Sequence, residues 1–315
     1  MIAGGGLLAV LEAARTFREQ GQPFALALVT DTEGSTYRKA GALALVAADG
    51  QRTGTLSGGC LEPALEALAA RVIASCVPEA AVFDTRDDDD LLFGSGSGCR
   101  GRMRVLAWPV PGAGQALIDR LEVAHAARQT LAVWVGVDAA NLGALAFNAA
   151  HADQGALPVQ ITPVPRLLLL GAGPEAPPLL HLARVMGWLA EVADHRTALL
   201  RADRLAGACT LHALRPAQAL AGLAAPPDAA LVMTHVASAD LEAMHALANL
   251  DVPYVGLLGP PARRDELVAQ LPAGARAQLQ PRLHAPAGMP LGGHGPEAIA
   301  LAIAADLQRF FHGSR

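Results

Sequence analysis

Residues 167–176 read LLLLGAGPEA, an apolar run that ends in two closely spaced glycines and continues into a helix-like pattern. Four successive leucines predict a strand that is buried on both faces. Gly171, Gly173 and Ala176 then stand at the spacing G-x-G-x-x-A, which turns a strand tightly into a helix. The N-terminus of such a helix attracts phosphate groups. The stretch therefore predicts the nucleotide-binding turn of a Rossmann-like domain.

The segments that follow this turn alternate between short apolar runs and helical patterns. Strands are predicted at residues 166–170, 189–193, 229–233 and 253–256, with helices between them and a last helix at 296–310. Alternation of this kind is typical of a parallel sheet with helices on both faces. Residues 166–315 are therefore predicted to form a doubly wound parallel-sheet domain of the α/β class.

Three polar residues follow the predicted strands of this domain. Asp194 stands about 20 residues beyond the glycines, where an acidic residue commonly accepts ribose hydroxyls. Arg196 could instead pair with a phosphate, so NAD, NADP and another phosphate-bearing cofactor all stay open as ligands. His235 ends a further strand, at the sheet edge where doubly wound proteins bind ligands. A histidine bonded within its own loop is an equal alternative there.

The first half has a different pattern. Its predicted elements are helices at residues 7–20, 61–75 and 115–128, a hairpin at 42–56, and strands at 24–30, 81–85, 102–108 and 131–137. This order indicates an N-terminal α+β domain with a mixed sheet over residues 1–150. Residues 151–165 end in Pro163 and Pro165, and because proline favours extended chain they are predicted to be a linker.

Two cysteines of the first half lie in glycine-rich loops. Cys60 follows Ser57, Gly58 and Gly59 at the start of a predicted helix, and a helix N-terminus lowers the pKa of a thiol. Cys99 lies within residues 94–101, GSGSGCRG, beside a basic residue. Thiolates are soft ligands that suit molybdenum, copper, zinc or a transferable sulfur atom. Two thiols in separate glycine loops could converge on one site; the alternative is a pair of small buried residues in tight turns.

The other two cysteines, Cys76 and Cys209, lack such settings and are expected in the core. With four cysteines in 315 residues and no C-x-x-C, a reducing, cytoplasmic location is expected. A cleaved signal peptide is not expected, since the N-terminus has no basic region. The acidic run from Asp87 to Asp90 is interpreted as a solvated loop.

Composition excludes several function classes. The net charge is −5 and the sequence has no stripe of Lys and Arg, so nucleic acid is not an expected partner. No run of about 18 apolar residues occurs, so no membrane span is expected. The chain also lacks the spacing of a structural zinc site, a G-x-S-x-G hydrolase turn and a P-loop lysine.

Several blocks of the sequence resemble one known family. They are EGSTYR at 33–38, GTLSGGCLE at 54–62, GCRG at 98–101, DHR at 194–196, MTH at 233–235 and YVGLLG at 254–259. Together these blocks resemble the XdhC/CoxI family of xanthine dehydrogenase accessory proteins, from about residue 5 to residue 312. The SGGC and YVGLLG blocks are distinctive, whereas the Rossmann glycines are shared with many proteins.

The resemblance implies a maturation factor that acts as a carrier and not as a turnover catalyst. Such a protein binds molybdenum cofactor (molybdopterin), holds it while a cysteine desulfurase supplies sulfur, and inserts it into a xanthine dehydrogenase-type apo-enzyme. Cys60 is then the first candidate for a molybdenum or sulfur contact, and Cys99 the second. Residues expected to shape that site are Ser35, Arg38, Ser57, Gly58, Gly59 and Glu62. The Rossmann half is expected to hold the pterin phosphate.

Two other functions stay open from the sequence. The Rossmann half could serve an NAD(P)-dependent oxidoreductase, or Cys60 and Cys99 could form a persulfide relay. The apolar composition, with 52% hydrophobic residues, is also compatible with a homodimer.

Overall fold

The computed structural model describes residues 5–86 and 100–313. The chain divides into two compact units, with the first ending at Val164 and the second starting at Pro165. Each unit has its own hydrophobic clusters.

The first unit combines helices with two small sheets. Its helices are α1 (Gly6–Glu19), α2 (Glu62–Ser75) and α3 (Ala113–Ala126). Its strands are β1 (Phe24–Gly34), β2 (Leu43–Ala47), β3 (Arg52–Thr53), β4 (Glu79–Asp84), β5 (Gly101–Val110), β6 (Leu131–Val135), β7 (Leu145–Ala146) and β8 (Leu157–Ile161).

Within the described residues these strands form one sheet in the order β3-β2-β1-β5-β4 and another in the order β7-β6-β8. The sequence predicted a mixed sheet for this unit. Every pairing among its described strands is antiparallel. Short connections such as the turn between β2 and β3 favour antiparallel pairing, since parallel strands need a long crossover.

Strand β1 lies in the middle of the larger sheet and is covered on both faces. Leu26 and Leu28 pack with residues of α1 and α3, whereas Ala25 and Ala27 pack with residues of α2. Burial on both faces explains why β1 begins with a continuous apolar run and lacks apolar–polar alternation.

The predicted linker at 151–165 contains strand β8, which pairs with β6. Val159 and Ile161 are buried in the same cluster as β1. The prolines of this segment do indicate extended chain, but extended chain is also what an edge strand requires. The segment up to Val164 therefore belongs to the first unit.

The second unit is a parallel sheet between helices. Its helices are α4 (Ala176–Met186), α5 (Pro216–Ala221), α6 (Ala237–Ala248), α7 (Pro261–Gln270), α8 (Ala273–Leu279) and α9 (Pro296–His312). Its strands are β9 (Arg166–Leu170), β10 (Leu189–Ala193), β11 (Ala208–His212), β12 (Ala229–Val232), β13 (Tyr254–Leu257) and β14 (Leu283–His284).

The strand order of the second unit is β11-β10-β9-β12-β13-β14, with every described pairing parallel. Strand β9 therefore lies in the centre, and the direction of winding reverses between β9 and β12. In doubly wound sheets the crevice at the carboxyl ends of these two strands is where ligands bind. The predicted α/β class and Rossmann-like second half are confirmed.

The leucine run of β9 explains why this strand is central. Leu167 and Leu169 pack with α4 and α9, whereas Leu168 and Leu170 pack with α6 and α8 on the other face. By contrast, β11 is an edge strand with little burial and β14 has two residues, so neither carried an apolar pattern that predicts a strand.

Candidate functional site

The first group of predicted site residues surrounds the N-terminus of α2. Ser57 is buried, and its hydroxyl accepts hydrogen bonds from the N–H groups of Gly59 at 3.3 Å and Leu61 at 3.1 Å. The same hydroxyl donates to the Glu62 carboxylate. One side chain thus fixes the turn, and the turn carries Cys60 at an exposed position.

Glu62, the first residue of α2, keeps its negative charge at this turn. Partial burial would raise the pKa of its carboxyl group, but the hydrogen bond from Ser57, backbone N–H groups and the positive charge of Arg52 outweigh that effect. The pKa of Glu62 is therefore below its ordinary value of 4.5. A carboxylate in the first turn of a helix also interacts favourably with the helix dipole.

The loop after β1 lies beside this turn. Tyr37 is 61% exposed, and a Cβ atom placed on Gly58 would be 3.7 Å from its ring. On the other side of the loop, the N–H of Ser35 donates to the carbonyl of Arg100 at 3.2 Å. The structure therefore brings Ser35 and Tyr37 next to two segments that are distant in sequence.

Two cations follow the tyrosine directly. Arg38 is exposed, and its carbonyl accepts a hydrogen bond from the Thr36 hydroxyl at 2.8 Å. Lys39 donates from Nζ to the carbonyl of Gly34 at 3.2 Å, which folds the loop back towards the end of β1. An exposed ring, two cations and an exposed thiol together suit a flat anionic ligand that also carries a soft atom.

Two of the remaining three cysteines lie at the surface and not in the core. Cys99 and the run Asp87 to Asp90 lie outside the described residues. Cys76 and Cys209 are exposed, so the expectation that they are core residues was wrong. Cys76 follows the end of α2 in a left-handed conformation, and Cys209 lies on edge strand β11.

The second group of predicted residues lies at the crevice of the Rossmann unit. Gly171 has φ 131°, and a Cβ atom there would be 2.3 Å from the carbonyl oxygen of Met233. Only glycine allows the turn after β9 to approach the end of β12 this closely. The glycine spacing therefore serves packing between the two strands that border the crevice.

Asp194 holds this turn from the neighbouring strand. Its carboxylate accepts from the N–H of Ala172 at 2.9 Å and the N–H of Arg196 at 2.8 Å. The guanidinium of Arg196 also donates to both oxygens, at 2.9 and 2.7 Å. Because the Asp194 side chain is fully buried, its oxygens contact the protein and not solvent.

The charge of Asp194 is retained in spite of this burial. Burial would raise the pKa of the carboxyl group, but the hydrogen bonds from Arg196 and the Ala172 amide outweigh it. The pKa of Asp194 is accordingly below its ordinary value of 3.8. Ribose binding by Asp194 and phosphate binding by Arg196 stay predictions. In the present arrangement the two residues bind each other.

His235 lies at the end of β12, on the other side of the crevice. Its Nε2 atom is 3.0 Å from Oε2 of Glu175, a buried residue that directly precedes α4. His235 has φ 61°, a left-handed conformation that few residues other than glycine adopt. The pair covers Gly173, because a Cβ atom there would be 3.1 Å from the carboxylate and 3.2 Å from the imidazole ring.

A buried acidic residue fixes the loop that carries His235. Asp240 accepts from the Thr234 hydroxyl at 2.6 Å and the Thr234 N–H at 3.1 Å. Its second oxygen accepts from Arg263 at 2.7 Å. The residue thereby connects the loop that follows β12 with helix α7.

Sequence reasoning missed Tyr37, Glu175 and Asp240 as site residues. Tyr37 is one of two tyrosines in the chain and stands in a polar loop, a signal that could have identified it. Glu175 lies inside the G-x-G-x-x-A motif, at a position that the pattern leaves unspecified. Asp240 carried no signal, since an acidic residue in the first turn of a helix usually stays in solvent.

Metal clusters and membrane spans are both absent from the described residues. No group of three or more His, Cys, Asp or Glu side chains in residues 5–86 and 100–313 is arranged to hold a metal ion. Over the same ranges, each helix is too short or too polar to cross a bilayer.

Comparison with known proteins matches both units. Residues 17–84 match the family model described as "XdhC and CoxI family", and residues 167–307 match the one described as "XdhC Rossmann domain". A Bacillus subtilis (strain 168) protein, named as a probable subunit of xanthine dehydrogenase, is 29% identical over 312 residues, covering 90% of this chain and 91% of that protein.

Two further relatives align along most of the chain. The Escherichia coli (strain K12) protein YqeB, described as uncharacterized, is 27% identical, and the match covers 94% of this chain and 45% of YqeB. A crystal structure described as a xanthine dehydrogenase from Bacillus halodurans superposes with a TM-score of 0.81 at 28% identity, covering 97% of this chain and 96% of the other. The family models thus match both units, and the relatives align with nearly the whole length of the chain. The chain therefore belongs to the XdhC and CoxI family.

Proposed function

We propose that this chain is an accessory protein of a xanthine dehydrogenase-type enzyme and that it carries the molybdenum cofactor of that enzyme. Family membership and the names of the two relatives support the association with xanthine dehydrogenase. The finer proposal is that the chain holds the cofactor while a cysteine desulfurase supplies sulfur, and then delivers it to the apo-enzyme.

One observation carries the finer proposal: the exposed thiol of Cys60 follows a glycine turn that lies against the exposed ring of Tyr37. A thiolate is a soft ligand for molybdenum or sulfur, and an exposed aromatic ring offers a flat surface to a pterin. Arg38 adds a planar cation for the pterin phosphate. The donor set therefore fits the chemistry of the group.

Each residue of the turn has a role in this proposal. Ser57 and Glu62 hold the turn, so that Cys60 is presented in one conformation. Gly58 and Gly59 are exposed and lack side chains, which leaves room for a large ligand beside the thiol. Cys99 is proposed as the second thiol. When bound, the cofactor supplies the molybdenum atom and its exchangeable sulfur ligand.

The exposure of the site is consistent with a carrier. An enzyme that turns over substrate usually encloses its reacting groups and excludes water. Cys60, Gly58 and Gly59 lie at the surface instead, and a ligand held there could be passed to a second protein without unfolding of this chain.

The test is co-purification from cells that make molybdenum cofactor. We expect the wild-type protein to retain pterin and molybdenum near stoichiometry, and Cys60→Ser to retain less than about a tenth of that, because a hydroxyl is a poor soft-metal ligand. Released pterin is measured by fluorescence and molybdenum by mass spectrometry. Cys76→Ser is the matched control, since it replaces another exposed cysteine at the opposite end of α2.

Three outcomes would contradict the proposal. Equal retention by Cys60→Ser would remove Cys60 from the site. Sulfane sulfur on the isolated protein without pterin would favour a persulfide relay. Tightly bound nicotinamide nucleotide without pterin would favour an oxidoreductase.

A further inference from the structure

The loop that carries Tyr37 leaves the larger sheet of the first unit at a pair of glycines. Gly34 ends β1, Gly101 begins β5, and the two are cross-strand partners at the last position of the register. A Cβ atom on Gly101 would be 2.3 Å from the carbonyl oxygen of Ser35, and one on Gly34 would be 2.6 Å from that of Arg100. Because neither position has room for a side chain, the two segments approach each other more closely than other residues allow.

Gly101 is held from the neighbouring strand by Thr85, which directly follows β4. The Thr85 hydroxyl donates to the carbonyl of Gly101 at 3.0 Å and accepts from its N–H at 3.3 Å. The N–H of Thr85 donates to the same carbonyl at 2.9 Å. Since Gly101 is also buried, it cannot move away from Ser35 without breaking these bonds. A side chain added at Gly101 therefore displaces the loop and not the strand.

The direction in which the chain leaves this glycine pair sets the position of the tyrosine ring. The N–H of Ser35 donates to the carbonyl of Arg100 at 3.2 Å, so the first residue of the loop is fixed to the start of β5. Tyr37 comes two residues later, with its ring 61% exposed and adjacent to Gly58. The same contact thus determines where the ring lies relative to the turn that carries Cys60.

We propose that Gly101 is a positioning residue of the cofactor site: through its close contact with Ser35 it fixes the ring of Tyr37 beside the cysteine turn. The ligand in this inference rests on the proposed carrier function, whereas the position of the ring is a property of the chain alone. A ring held in place before binding loses less conformational freedom when a ligand binds, which favours affinity. Gly101 has no side chain to contact the ligand, so it acts through Tyr37.

The two tyrosines of the chain make the position of the ring measurable. Tyr254 is fully buried in the second unit, so protein labelled with fluorotyrosine gives one fluorine NMR resonance from each unit, and Tyr37→Phe identifies the first. In Gly101→Ala we expect the Tyr37 resonance to move towards that of free fluorotyrosine and the Tyr254 resonance to stay unchanged. Gly274→Ala in α8 is the control and should change neither, because its added Cβ atom would have no neighbour within 4 Å.

Pterin retention in the co-purification assay measures the consequence for binding. We expect Gly101→Ala to retain at least about tenfold less pterin than the wild type, because the added methyl group overfills a closely packed contact. Tyr37→Ala should lose a similar amount. The double variant should lose no more than Tyr37→Ala alone, since Gly101 acts through that ring. Thr85→Val removes the hydroxyl that holds Gly101 without adding bulk there, and should shift the Tyr37 resonance in the same direction by a smaller amount.

Two results would overturn the proposal. One is a Tyr37 resonance that is unchanged in both Gly101→Ala and Thr85→Val. The other is a double variant that retains clearly less pterin than Tyr37→Ala, since Gly101 would then act by another route. Absence of pterin from the wild type would contradict the carrier proposal instead, and the fluorine spectra would still test the position of the ring.

Discussion

Asp194→Ala is expected to lower the free energy of unfolding of the second unit by about 3 kcal/mol. The substitution leaves the buried N–H of Ala172 without its acceptor and Arg196 without its bidentate partner. Arg196 is one-third exposed, so water replaces part of the lost interaction, and the expected loss of stability is at the low end for a broken buried ion pair. Urea denaturation measures the change in the free energy of unfolding. In thermal denaturation the melting temperature should be lower by about 10 °C.

The control for this prediction is Asp203→Ala. Asp203 also pairs with an arginine two residues away in sequence, Arg201 at 2.6 Å, but both side chains are 63% exposed. Exposed ion pairs contribute about 0–1 kcal/mol, so this variant should unfold almost like the wild type. Similar losses in the two variants would show that Asp194 does not hold the glycine turn.

Ser57→Ala is expected to cost the first unit about 2 kcal/mol and to loosen the cysteine turn. The hydroxyl takes part in three hydrogen bonds, and its removal leaves the Gly59 and Leu61 N–H groups and the Glu62 carboxylate without this partner. Because the turn presents Cys60, retention of pterin should also fall, by about tenfold. Ser75→Ala at the other end of α2 loses a single exposed hydrogen bond, which the Ser75 hydroxyl accepts from the Val77 N–H, and should change neither the stability nor the pterin retention measurably.

The Ser57→Ala effect should depend on pH with a defined sign. Ser57 helps to keep the pKa of Glu62 below 4.5 in the folded protein, a stabilisation that is present above pH 4.5 and lost as pH falls through the folded-state pKa. The stability difference between wild type and Ser57→Ala should therefore be larger at pH 7 than at pH 3. A constant difference across this range would mean that Ser57 acts without Glu62.

The two units differ in how closely the site followed from the sequence. In the first unit, Ser57, Gly58, Gly59, Cys60 and Glu62 form one turn because they are neighbours along the chain, whereas Ser35 and Arg38 lie in the loop after β1. In the second unit, the glycine motif correctly indicated a strand–turn–helix element. The surroundings of Gly173 did not follow from the motif, because the side chains beside it are Glu175 and His235, and His235 comes 60 residues after Glu175.

By itself, the sequence determined the Rossmann-like fold of the second unit and the cysteine turn of the first. Both depend on short-range patterns: a run of leucines buried on two faces, glycines at fixed spacing and a serine near a helix start. Only the tertiary structure decided that β8 completes a sheet and that Cys76 and Cys209 are exposed. It also decided that the carboxylates of Asp194 and Glu175 are buried and bonded to other groups of the protein. Side-chain burial and pairing depend on contacts between residues far apart in sequence, and local periodicity does not contain those contacts.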